Sequence, residues 1–185
     1  MVVNSVISSA QASVCTYGME LLLSSAIGVA ALIIVSCITQ VPFLWIPYLA
    51  GFVPLRLSGG GLHARTHQGC LLIFTSAYTV LLLACPWFMS IRMYPFVTSI
   101  ITMSIICCIS PVEAKNKPLN QEKRIKNRMK SIGLGFGNLL VSIIVSKFCL
   151  TNSRWITMYF TGYGLAGISM VIAVVINLIE RRKRQ

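Results

Sequence analysis

Both histidines of the chain, one of its seven cysteines and three consecutive glycines fall inside one fifteen-residue stretch, Arg56-Leu-Ser-Gly-Gly-Gly-Leu-His63-Ala-Arg65-Thr-His67-Gln-Gly-Cys70. A thiol and an imidazole within reach of each other are what a thiol proteinase requires. The imidazole holds the sulfur as a thiolate and later protonates the leaving amine. Cys70 supplies the sulfur. If it opens a helix, as its place after Gln68-Gly69 suggests, the positive end of the helix dipole and Arg65 both favour the thiolate.

The spacing sets a condition on this chemistry. On one straight helix His63 and Cys70 lie about 10.5 Å apart along the axis, too far for a hydrogen bond. The chain must therefore fold back between them, or the pair must form between two chains. His67, three residues before Cys70, would meet it on a helix without any fold. Gly59, Gly60, Gly61 and Gly69 permit a bend, because glycine takes positive φ at little cost. Two other readings stay open: His63, His67 and Cys70 at i, i+4 and i+7 share a helix face and could ligate a metal, although a fourth ligand is not apparent. The triple glycine could equally serve helix packing or a hinge.

The elements that must position this stretch are apolar. Mean hydropathy is +0.78, with 56% hydrophobic and 11% charged residues, too little polar surface for a soluble domain of this length. A spanning helix needs about 20 apolar residues, and on that ruler the chain predicts about six segments, near 20–40, 42–55, 70–90, 95–111, 133–150 and 155–179. The expectation is an all-α polytopic transmembrane helical bundle, with residues 1–185 as a single integral membrane domain. Pro42, Pro47 and Pro54 should break or kink the second segment, making it tilted or partly re-entrant. Within residues 1–18, Val3, Val6, Ile7, Ala10, Val14 and Tyr17 recur at helical spacing, which suits an interfacial amphipathic helix as well as a frayed polar terminus. No Lys or Arg precedes Arg56, so no cleaved leader is expected.

Charge sorts the two sides. Four acids (Glu20, Glu113, Glu122, Glu180) face sixteen Lys and Arg, for a net charge of +12. Seven of the basic residues (Lys115, Lys117, Lys123, Arg124, Lys126, Arg128, Lys130) lie in the stretch 112–132, read as a loop. Four more (Arg181, Arg182, Lys183, Arg184) lie in the tail 180–185. Both regions should be cytoplasmic. Counting back through the hairpin 70–111 puts the catalytic loop 56–70, with Arg56 and Arg65, on the same side, and leaves Arg92, Lys147 and Arg154 opposite. Both termini are then inside, with an even number of crossings. Charge clustered by membrane side points to a lipid bilayer, and nucleic acid is not expected as a partner. Most cysteines are expected to pack as small apolar residues between helices. Gly133, Gly135 and Gly137, with Gly162, Gly164 and Gly167, are expected to pack the last hairpin.

Arg56, Gly60, Gly61, His63, Ala64, Thr66, His67 and Cys70 together form the pattern Arg-x-x-x-Gly-Gly-x-His-Ala-x-Thr-His-x-x-Cys, which resembles the signature of the accessory gene regulator B (AgrB) family of membrane peptidases. Ser110-Pro111-Val-Glu113-Ala-Lys-Asn116-Lys117-Pro118-Leu119 resembles that family's stretch after its fourth span, so the likeness covers nearly the whole chain. It implies a cysteine endopeptidase of the bacterial cell membrane that cuts the C-terminal part from an AgrD-like propeptide. The released segment becomes a cyclic quorum-sensing peptide. It further implies Cys70 as nucleophile, His63 as general base, Arg56 and Gly61 as positions needed for activity, and a homodimer, with no cofactor and no metal. Gly60, Thr66 and His67 would shape the loop or support the oxyanion. Helical spacing favours His67 as the base, whereas the resemblance favours His63. Glu113 is a candidate to orient the imidazole, and Glu113, Lys115, Lys117 and Lys123 are candidates for docking an acidic propeptide tail, the alternative being a topology determinant that binds anionic lipid. A small transporter or scaffold without catalysis is the competing class; against it, the predicted spans carry hardly any ionisable residue away from their ends.

Overall fold

The computed structural model describes residues 9–61, 67–112, 120–148 and 153–182, and within them the chain forms six helices and no strand. These are α1 (Ser9–Ile38), α2 (Trp45–Gly59), α3 (His67–Met89), α4 (Tyr94–Ile109), α5 (Gln121–Lys147) and α6 (Arg154–Arg182). Four of them contain stretches long and apolar enough to cross a membrane: Gly18–Ile38, Gly69–Met89, Gln121–Lys147 and Arg154–Glu180. α4 is apolar but has 16 residues. α2, with 15, rises about 22 Å, short of a hydrocarbon core of roughly 30 Å.

Local chemistry accounts for where these helices differ from the predicted segments. α2 runs unbroken through Pro54, and Pro47 falls in its first turn, where a missing N–H costs no helical bond. Pro42 stays outside, in the reversal where Gln40 takes φ 59° and the amides of Gln40 and Val41 close on Cys37 and Ser36. From Gln121 onward the basic stretch is helical, not a loop. Asn120 caps it, accepting from the Gln121 amide at 2.7 Å, and Glu, Lys, Arg and Gln are good helix formers that a hydropathy ruler passes over. Residues 9–18 of the expected interfacial segment are helical and continue directly into the apolar part of α1.

Large apolar side chains face outward, and small polar ones are buried among the apolar core. Leu22, Leu23, Leu72, Leu83, Leu140 and Leu178 all face outward, as a hydrocarbon solvent allows. Ser36, Ser99, Thr102, Ser131, Ser142, Thr157 and Thr161 are buried. Hydroxyls tie helices together, since no water competes for them in hydrocarbon. Tyr94 pairs with Thr161 Oγ1 at 2.9 Å, the Tyr159 hydroxyl donates to Asn138 Oδ1 at 2.8 Å, and Ser36 pairs with Tyr78. One apolar cluster joins Leu32, Tyr48, Tyr78, Leu82 and Met158. A second, nearer the glycine stretch, joins Leu55, Ile106, Phe160, Tyr163, Ala166 and Met170.

α6 is the central helix, packed chiefly on α2 and also on α4 and α3. Its glycines explain the approach. A Cβ on Gly162 would strike the carbonyl of Tyr48, and a Cβ on Gly51 would strike the carbonyl of Tyr159. The two helices thus cross through reciprocal Tyr-x-x-Gly notches. Gly164 and Gly167 abut Thr98 and Thr102 of α4, and Gly135 abuts Met103 of α4, while Gly133 and Gly137 have nothing within 4 Å. The expectation of a glycine-packed last hairpin is therefore corrected: Gly162, Gly164 and Gly167 seat α6 on α2 and α4, Gly135 seats α5 on α4, and Gly133 and Gly137 seat neither. Of the six described cysteines only Cys85 is buried, which likewise corrects their expected place between helices; lipid accepts a small thiol as readily as a core does. Gly51→Ala and Gly162→Ala should each cost about 1–3 kcal/mol through overpacking against backbone, read as lowered thermal stability in detergent, with Gly18→Ala, which meets nothing within 4 Å, as the neutral control.

Candidate active site

The glycine stretch is held by the exit of α4. Val112 donates its amide to the Gly59 carbonyl at 2.8 Å, and Gly60 forms an isolated parallel bridge with Val112. The two stretches singled out in the sequence, Arg56–Cys70 and Ser110–Leu119, therefore meet at Gly59, Gly60 and Val112. Gly60 sits at φ 77° and ψ −156°, a region essentially reserved for glycine, and a Cβ there would run into the Val112 carbonyl. Gly61, at φ 141°, leaves the space filled by the Arg56 guanidinium; a Cβ would collide with Arg56 Nη1 and stand 2.6 Å from Ser169 Oγ.

Arg56 lies in the last turn of α2, half-buried, where its positive charge complements the negative end of the helix dipole. Its Nη1 donates a long 3.5 Å hydrogen bond to Ser169 Oγ of α6, and Ser169 in turn donates to the Ala166 carbonyl at 2.7 Å. The same guanidinium is close enough to Cys70 to interact with it electrostatically. Cys70 is a free, exposed thiol in the first turn of α3, which begins at His67, and it is the second residue of the apolar span Gly69–Met89. Cys70 thus stands at the boundary of a membrane-length helix, near its positive end.

His63, Thr66, Glu113, Lys115 and Lys117 lie outside the described residues, as does the side chain of His67. Lys123 is exposed near the start of α5. Between α2 and α5 a cleft of about 450 Å³ is lined by Pro54, Leu57 and Ser58 on one wall and Asn127, Lys130 and Leu134 on the other. Sequence reasoning missed Ser169, and it singled out the stretch holding Val112 without giving Val112 a role. Ser169 is 113 residues from Arg56 in the chain and sits in an apolar helix where an isolated serine carries no signal.

Among the described residues the chain is all-helical, with four helices long and apolar enough to cross a membrane. The family model for accessory gene regulator B matches residues 1–178, and the chain belongs to the AgrB family. Membership gives it a role in processing the agr quorum-sensing peptide and a membrane association that its apolar helices fit. No curated protein and no solved structure matches it.

Proposed function

We propose that the chain is a cysteine endopeptidase that cuts the C-terminal part from an AgrD-like propeptide and closes the remaining segment into a thiolactone or lactone. The observation that carries this reading is a free, exposed Cys70 in the first turn of α3, at the boundary of a membrane-length span, in a chain of the AgrB family. In the proposed reaction the Cys70 thiolate attacks a propeptide carbonyl, and the tetrahedral oxyanion is balanced by Arg56 or backbone N–H groups. The C–N bond breaks and the amine leaves with a proton from the His63 imidazolium, giving a thioester on Cys70. A thiol or hydroxyl within the substrate then loses its proton to His63 and attacks the thioester. Cys70 is released as a thiolate and the ring is closed. A site bounded by hydrocarbon favours ring closure over hydrolysis by limiting water.

The reading includes a cytoplasmic site, both termini inside, six crossings counting the short α2, and a homodimer, since six short segments leave little room to enclose a peptide. Co-expression with a candidate propeptide tests it: mass spectrometry should find the cleaved tail and a cyclic product with the wild-type chain. An uncut propeptide in the presence of folded wild-type protein rejects the reading. The basic residues are proposed to dock an acidic tail of the propeptide. Charge reversal at Lys115, Lys117 and Lys123 should lower processing about tenfold, from roughly 0.5 kcal/mol lost per exposed contact, with membrane insertion unchanged; undiminished processing refutes docking.

A further inference from the structure

At the end of the bundle opposite Gly59 and Val112, a cleft of about 730 Å³ opens between the α3–α4 turn and the end of α5, lined by Arg92, Met93, Phe96, Ile143, Ser146 and Lys147. We propose that this cleft is a binding site for an anionic phospholipid, its phosphate held between Arg92 and Lys147 and its acyl chains laid against Met93, Phe96 and Ile143. Three independent features converge on that ligand. Two cations share one rim, one in the turn after α3 and the other in the last turn of α5, while Glu122 and Glu180 stand at the far ends of their helices. The residues lining the cleft include these two cations and no acid, and a positive rim attracts a phosphodiester. The Ser146 hydroxyl in the cleft wall is buried with no hydrogen-bond partner, and a buried hydroxyl left unsatisfied costs free energy that a phosphate oxygen would recover.

The third feature is the apolar part of the wall. Met93 from the α3–α4 turn, Phe96 from α4 and Ile143 from α5 line the cleft with the cations, an apolar wall that a free phosphate would leave uncovered and a lipid would fill. Charge at one rim and hydrocarbon beneath it match the two ends of a phospholipid. The site is separate from Arg56 and Cys70, and it stands or falls independently of the proposed protease chemistry.

The test uses the purified full chain in detergent, titrated with short-chain phosphatidylglycerol, phosphatidylcholine or inorganic phosphate, with thermal stability and native mass spectrometry as readouts. Phosphatidylglycerol should raise the melting temperature and leave one tightly retained lipid per chain, whereas phosphatidylcholine and inorganic phosphate should do neither. Removal of each cation should weaken binding about fivefold, and R92Q/K147Q together roughly 25-fold. S146A should weaken it about tenfold or more, from the loss of one hydrogen bond to a charged group, roughly 1.5 kcal/mol or above. R92K/K147R should keep most of the binding and K130Q, in the other cleft, all of it. Equal binding of phosphatidylcholine, an equal effect of inorganic phosphate, or undiminished binding in R92Q/K147Q overturns the proposal. If the double variant does not fold, S146A, which changes one hydroxyl only, decides by the same criterion.

Discussion

Alanine at Cys70 or serine in its place is expected to leave the propeptide uncut, a loss of roughly ten-thousandfold or more, since removal of a catalytic nucleophile leaves only binding and oxyanion stabilisation. His63→Ala should be equally inactive in co-expression, and His67→Ala should retain partial cleavage. The two histidines separate the competing readings of the loop. A base at His67 needs nothing but helical spacing, whereas a base at His63 needs the chain to fold back between His63 and Cys70; Gly60 and Gly61, both at positive φ, lie ahead of His63 and leave that choice to the two variants. Full cleavage by Cys70→Ser together with His63→Ala would remove the protease assignment altogether. Arg56→Lys is a sharper probe than Arg56→Ala, because lysine keeps the charge at the end of α2 while losing the planar fork that reaches Ser169.

The second large effect belongs to a residue with no functional group. Gly61→Ala is expected to reduce cleavage by about a hundredfold, the scale of a misplacement of roughly 1 Å in a catalytic group, because the new methyl would occupy the space of the Arg56 guanidinium. Gly60→Ala should act differently. It strains a conformation reserved for glycine and pushes on the Val112 carbonyl, so it should lower stability by about 1–3 kcal/mol as well as activity. Gly133→Ala and Gly137→Ala are the controls. Each sits inside α5 with nothing within 4 Å, and alanine in a helix interior should be neutral or stabilising by up to about 1 kcal/mol. Cleavage assays and thermal unfolding on the four variants separate an Arg56-specific defect from a general intolerance of alanine; wild-type activity in Gly61→Ala would show that Arg56 has room to move.

The helices themselves were legible from composition. An apolar run of membrane length folds as a helix because its backbone has no other partner in hydrocarbon, a local rule that needs no knowledge of neighbours. The same locality made Arg56–Cys70 visible, since its histidines, cysteine and glycines are consecutive in the chain. α5 was read too short, because hydropathy registers lipid contact whereas helix formation also proceeds in the charged residues from Gln121 to Lys130.

The tertiary structure alone decided which helices touch. The crossing of α2 on α6 depends on Gly51 meeting the Tyr159 carbonyl and Gly162 meeting the Tyr48 carbonyl, contacts between backbones that no residue type announces. That crossing brings Ser169 to Arg56 and helps seat α2, while the exit of α4 pins Gly59 and Gly60 through Val112. Hydrophobic patterning says that a segment is embedded in lipid, but every apolar face satisfies lipid equally well; only close packing between small residues distinguishes one neighbour from another, and it does so over distances of more than a hundred residues along the chain.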